Sequence, residues 1–125
     1  MTLARYAAVQ NAASPRETEL RAFRYVNGLL AAAADTPARA QALHKTHQLW
    51  SLLLADLAHP GNALPPELKG RLVSLGLWAQ REAFVRLADG ASLAPLMELH
   101  RDMIAGLEAQ PGAAPPARAF VAGAA

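Results

Sequence analysis

Between Leu43 and Gln80, apolar residues recur at three- and four-residue steps on both sides of a Pro/Gly-rich break, the spacing of helix faces rather than of strands. Leu43, His47, Trp50, Leu54 and Leu57 share one face of the first half. Leu49, Leu52 and Leu53 occupy its other faces, which predicts a helix buried on several sides. In the second half Leu68, Leu72, Leu75 and Ala79 form one stripe, with Val73, Leu77 and Phe84 on the opposite side. Two stripes predict two neighbours. The break itself, His59-Pro60-Gly61-Asn62-Ala63-Leu64-Pro65, reads as an elbow. Pro60 biases His59 away from helical dihedrals, Gly61 and Asn62 tolerate left-handed conformations, and Leu64 can fold back to plug the hairpin. The run Leu72 to Trp78 partly alternates in a strand-like way, but its helical flanks argue for helix.

The same pattern extends outward. Residues 3–12 suit a short helix with Leu3, Tyr6 and Val9 or Gln10 on one side. Ser14-Pro15-Arg16-Glu17 is a helix start, with Ser as N-cap, Pro in the first turn and Glu closing a capping box. That helix is expected to reach about Ala34 and to bury Leu20, Phe23, Val26 and Asn27 or Leu30. Thr36 is the expected cap of the next helix, Pro37 its first residue and Ala58 its approximate end. Pro66 and Glu67 suit the first turn of the helix after the elbow, and Asp89-Gly90 is expected to end it. Ser92 can cap a last helix from about Leu93 to Glu108, whose inner stripe is Leu96, His100, Met103 and Leu107, flanked by Met97 and Ile104. From Ala109 the chain is mostly Ala, Pro and Gly, a composition expected to stay disordered, with only Phe120 and Val121 able to anchor it. The predicted fold class is all-α, a small bundle of four to five helices around a central helical hairpin at about residues 37–88. The domain is expected over residues 3–108 and the tail over 109–125.

Composition narrows the function. One domain of 125 residues, 53% hydrophobic and 18% charged, has ample apolar surface for a core. Twelve Lys and Arg against ten Asp and Glu leave a net charge of +2, and only Arg16, Arg21 and Arg24 approach a cluster. Direct nucleic-acid binding needs a basic patch and is not expected. The absence of cysteine excludes disulfides, thiolate catalysis and Cys-ligated zinc. No apolar run approaches the roughly 18 residues of a membrane span, and the N-terminus lacks a signal-peptide core, so the expected location is cytoplasmic, with no membrane partner.

Catalytic chemistry is hard to assemble. His44 and His47 have a metal-compatible spacing but need a third ligand from His59, His100 or a carboxylate. His47 beside Trp50 on an apolar face reads as packing, and no metal or cofactor is expected. Glu17, Glu67 and Glu82 each precede an arginine by four residues, and Glu98 precedes Arg101 by three, so these acids read as solvated helical pairs. The four serines fall at caps or inside helices, and no glycine-rich phosphate loop is present. The chain is not expected to be an enzyme. Trp50 and Trp78 are candidate interface aromatics, although their leucine neighbours favour core packing for both. The stripe of Val73, Leu77 and Phe84 is either covered by the helix from Ser14 or open to a partner helix.

Leu49-Trp50-Ser51, Asp56, the elbow from Pro60 to Pro65, Val73-Ser74-Leu75-Gly76-Leu77-Trp78, Pro95-Leu96 and Gly106-Leu107 together resemble the FlaF family of alphaproteobacterial flagellar systems. The resemblance runs from about Tyr6 to Leu107 and includes Pro15-Arg16-Glu17-Thr18-Glu19. Where many relatives carry asparagines ahead of the first Trp motif and near the last helix, this chain has Thr46 and His100. The resemblance implies a flagellar biosynthesis regulator needed for flagellin production or export, acting opposite FlbT, a translational repressor of flagellin. It implies no catalytic residues. Flagellin is the expected partner, held as a secretion chaperone would hold its mobile amphipathic ends. Val73, Leu77, Trp78 and Phe84 are the expected groove, with Arg21, Arg24 and Arg81 at its rim. The alternative is a regulatory adaptor of flagellin translation acting through FlbT or flagellin mRNA.

Overall fold

A computed structural model describes residues 14–109, which form four helices: α1 (Pro15–Ala31), α2 (Thr36–Ala58), α3 (Pro66–Ala88) and α4 (Ala94–Glu108). The expected helix at 3–12 and the tail beyond Ala109 lie outside the described residues. The all-α bundle is as the hydrophobic pattern predicts, with α2 and α3 the most extensively packed pair.

Local chemistry sets the helix starts. Ser14 caps α1 with both bonds of the capping box: its Oγ accepts from the Glu17 N–H at 3.1 Å, and Glu17 Oε1 accepts from the Ser14 N–H at 3.3 Å. Glu17 is thereby drawn to the helix N-terminus rather than to Arg21. The cap of α2 is Asp35, not Thr36; its Oδ1 accepts from the Ala38 N–H at 2.8 Å, and a carboxylate satisfies that donor more strongly than a hydroxyl can. Ser92 stands one residue before the N-cap of α4, Leu93, and accepts from the Ala94 N–H at 3.0 Å. In the elbow Asn62 Oδ1 accepts from the Leu64 N–H at 3.1 Å, an Asx turn that drives Leu64 into the core. Gly61 turns outside the left-handed region, held by its N–H donating to His59 Nδ1 at 2.9 Å.

The core lies where α1, α2 and α4 meet. Leu20, Phe23, Val26 and Leu30 come from α1, and Leu96, His100, Met103 and Leu107 from α4. The buried stripe of α2 is Ala42, Leu43, Thr46, Leu49, Trp50, Leu53 and Leu57. That stripe corrects the expectation for His47, which is exposed while Thr46 is buried and bonds its own helix at Ala42 O, 2.9 Å away. Burying the small hydroxyl with a local acceptor costs less than burying an imidazole without one. α1 and α4 run antiparallel, Arg16 Nε donating to Leu107 O at 2.8 Å near one end and the Phe23 ring meeting His100 edge-on at 5.5 Å further along.

At the centre, the Trp50 indole N–H donates to His100 Nε2 at 3.0 Å, with both side chains fully buried. Because indole nitrogen only donates, the imidazole presents a bare Nε2 and carries its proton on Nδ1. Burial pushes the His100 pKa down from 6.5 to about 4, so the ring is neutral in the physiological range. Trp50 is core, as its leucine neighbours imply; Trp78 is different and belongs to the next subsection.

Candidate functional site

Among the described residues α3 is gripped on one side. It packs along α2, touches α4 marginally and does not pack on α1. The buried stripe of α3 is Leu72, Gly76, Ala79 and Ala83, mostly residues with little or no side chain. The bulk at this contact comes from α2: a Cβ placed on Gly76 would lie 2.8 Å from Leu54 Cδ2 and 3.0 Å from Trp50 Cε3. Small residues let the two backbones approach closely. The expected stripe of Leu68, Leu72, Leu75 and Ala79 is thus corrected at Leu75, which is exposed, because the neighbour has no room for a leucine there.

Polar contacts fasten this grip within the helices and at one end. Gln80 Nε2 donates across to Ser51 Oγ at 2.7 Å and to His47 O at 3.2 Å. Arg39, from the first turns of α2, reaches the far end of α3 and donates to the carbonyls of Ala91, Asp89 and Arg86 at 2.6, 3.3 and 3.4 Å. It satisfies carbonyls that a helix end otherwise leaves open. Asp89-Gly90 ends the helix as expected, though without a left-handed glycine: Asp89 leaves the helix extended and its Oδ1 accepts from the Ala91 N–H at 3.0 Å. A cleft of about 280 Å³ opens beside this contact, but its cations are committed, Arg39 to the carbonyls and Arg86 to Glu82 and Asp89 at 3.8 and 3.5 Å.

What the grip leaves outside is strongly apolar. Leu75, Leu77, Trp78, Phe84, Val85 and Leu87 are all exposed on α3, with Val73 half-buried among them. Exposed apolar residues gathered on one helix mark an interaction face more often than a bare solvent face. Of the residues expected to contact a partner, Val73, Leu77, Trp78, Phe84 and Arg81 share this helix. Arg21 and Arg24 stand exposed on α1, and Arg24 is ion-paired with Glu108 of α4. Periodicity put Leu75 on the inner stripe and did not single out Val85 or Leu87, nor Gly76 and Arg39, whose roles depend on the neighbouring helix. The signal for Leu75, Val85 and Leu87 was available: they are simply the remaining large apolar residues of a helix whose small residues face inward.

Among the described residues no three His, Asp or Glu side chains converge as a metal site, and no helix is long and apolar enough to cross a membrane. The fold and the face define a small all-α protein that presents one half-packed amphipathic helix. A family profile described as "Flagellar protein FlaF" matches residues 2–107 of the 125, and the chain belongs to that family of flagellar proteins. No curated protein and no solved structure gives a significant match.

Proposed function

We propose that this flagellar protein regulates flagellum biosynthesis by binding flagellin, acting as a dedicated secretion chaperone, and that the outer face of α3 is the seat. The observation that carries the reading is the one-sided packing of α3, which leaves Leu77, Trp78 and Phe84 facing solvent around a helix firmly anchored to α2. An amphipathic segment of an unassembled subunit can lay its own apolar side against such a face, gaining affinity from apolar area and specificity from spacing. A regulatory adaptor acting on FlbT is the competing reading, and capture experiments separate the two.

The test is capture of purified flagellin monomer and of purified FlbT by the intact protein at low and high salt. Salt-resistant capture of flagellin is expected, since apolar contacts are weakly screened. Leu77→Glu should abolish that capture while leaving the helical circular dichroism unchanged, because Leu77 is exposed. Capture of FlbT alone would move the function to the adaptor.

A further inference from the structure

We infer that the segment received by α3 is an amphipathic helix of another protein carrying a carboxylate between its apolar residues, and that Arg81 is the residue that reads it. The inference rests on the outer face of α3 being the binding seat. On a helix surface the nearest neighbours of a residue stand three and four positions away. For Arg81 these are Leu77, Trp78, Phe84 and Val85, exposed by 52%, 37%, 73% and 38% respectively. All four are apolar. The guanidinium therefore sits at the middle of the patch, and any partner covering the patch also covers the charge.

Arg81 is also uncommitted among the described residues. Of the three arginines of α3, Arg71 pairs with Glu67 at 3.1 Å and Arg86 with Glu82 at 3.8 Å, whereas Arg81 makes no hydrogen bond or ion pair among the described residues. A guanidinium covered by a purely apolar partner would lose its water and gain nothing, which strongly disfavours the complex. A carboxylate in register accepts two parallel N–H bonds from the planar fork and reverses the balance.

Charge also narrows the occupant. All ten acidic residues of the chain lie from Glu17 to Glu108, so neither residues 1–13 nor 110–125 contain an Asp or Glu to offer Arg81; they contain Arg5 and Arg118 instead. A second copy fares no better. Leu77 and Val85, like Trp78 and Phe84, are symmetrically spaced about position 81, so antiparallel two-fold packing of α3 on itself sets Arg81 against Arg81. Helices that lie on anionic lipid display rows of free Lys and Arg beside their apolar side, whereas two of the three arginines of α3, Arg71 and Arg86, are already paired with Glu67 and Glu82. A protein helix with an acid at its centre is the occupant that fits.

The experiment titrates the intact protein with two synthetic amphipathic helices that share a leucine stripe and differ only in a central Glu or Lys. The wild type is expected to prefer the Glu peptide by about tenfold, the range of a moderately desolvated ion pair. Arg81→Glu should reverse the preference, Arg81→Lys should retain a reduced one, and Leu77→Glu should weaken both peptides. Equal affinity for the two peptides, a preference that survives Arg81→Glu, or no binding of either overturns the carboxylate inference, and flagellin capture then judges the seat separately. Peptide binding indifferent to Leu77→Glu overturns the seat itself. Dimerisation in sedimentation that Leu77→Glu abolishes, or capture by phosphatidylglycerol-containing vesicles in preference to the Glu peptide, assigns the face to another occupant and overturns the inference.

Discussion

The burial of His100 ties stability to pH. With the folded pKa of His100 near 4 against 6.5 for the free side chain, the unfolded chain takes up a proton in that window that the folded chain refuses. The contribution is fully present above about pH 6.5 and is lost as the pH falls toward 4, by about 3 kcal/mol at the lower end. Urea unfolding at neutral pH and near pH 4 reads the difference directly. In His100→Leu the part of the pH dependence belonging to this ring should vanish. That variant should also be less stable at neutral pH by roughly 1–3 kcal/mol, because the indole N–H of Trp50 loses its buried acceptor. A pH dependence identical in the two proteins would show that the imidazole does not hold the depressed pKa assigned to it.

Within α3, two glycines make opposite predictions from the same substitution. Gly76→Ala adds a methyl where Leu54 Cδ2 stands 2.8 Å away and the Trp50 ring 3.0 Å away. The Leu54 tip can give, but the buried indole cannot without moving the core, so the overpacking should outweigh the helix-propensity gain and destabilise by about 1–2 kcal/mol. A methyl on Gly70 meets nothing within 4 Å, and Gly70→Ala should stabilise by roughly 0.5–1 kcal/mol. Thermal unfolding of the pair checks both signs at once. At the end of the same helix, Arg39→Ala should release the carbonyls of Ala91, Asp89 and Arg86, seen as faster amide exchange in the last turn of α3 before any global loss of fold.

Across the whole molecule, protection should follow packing. α2 lies against both α1 and α3, whereas α3 has one substantial neighbour among the described residues. Amide exchange is therefore expected to be slowest in the middle of α2 and faster in α3, whose outer side has no apolar cover. Equal protection in both helices would mean that α3 has a second neighbour. For the same reason, polar substitutions at Phe84 or Leu77 should shift stability by no more than about 0.5 kcal/mol while changing what the protein binds. The separation is useful: the α1, α2 and α4 core holds the fold, and α3 lends it a surface.

The order of the four described helices, the capping box at Ser14 and Glu17, the plug at Leu64 and the inner stripe of α4 follow from local preferences and a clear 3.6-residue period, so the sequence by itself determined them. The membership of Val73, Leu77, Trp78, Phe84 and Arg81 in one helix was equally legible. Which way that helix turns was not. Periodicity weights a position by the hydrophobicity of its side chain and so points leucines inward; the fit against Trp50 and Leu54 instead selected Gly76, Ala79 and Ala83 beside Leu72 and left Leu75, Leu77 and Leu87 to solvent. His47 and Thr46 changed places on the same ground, since burial depends on whether a polar atom finds an acceptor inside. Arg39 as a cap for a helix some fifty residues away, and Gln80 as a bridge to Ser51, are long-range contacts that no local pattern encodes. Helices are written in neighbouring residues, whereas the face a helix shows to solvent is decided by the shape of whatever packs against its other side.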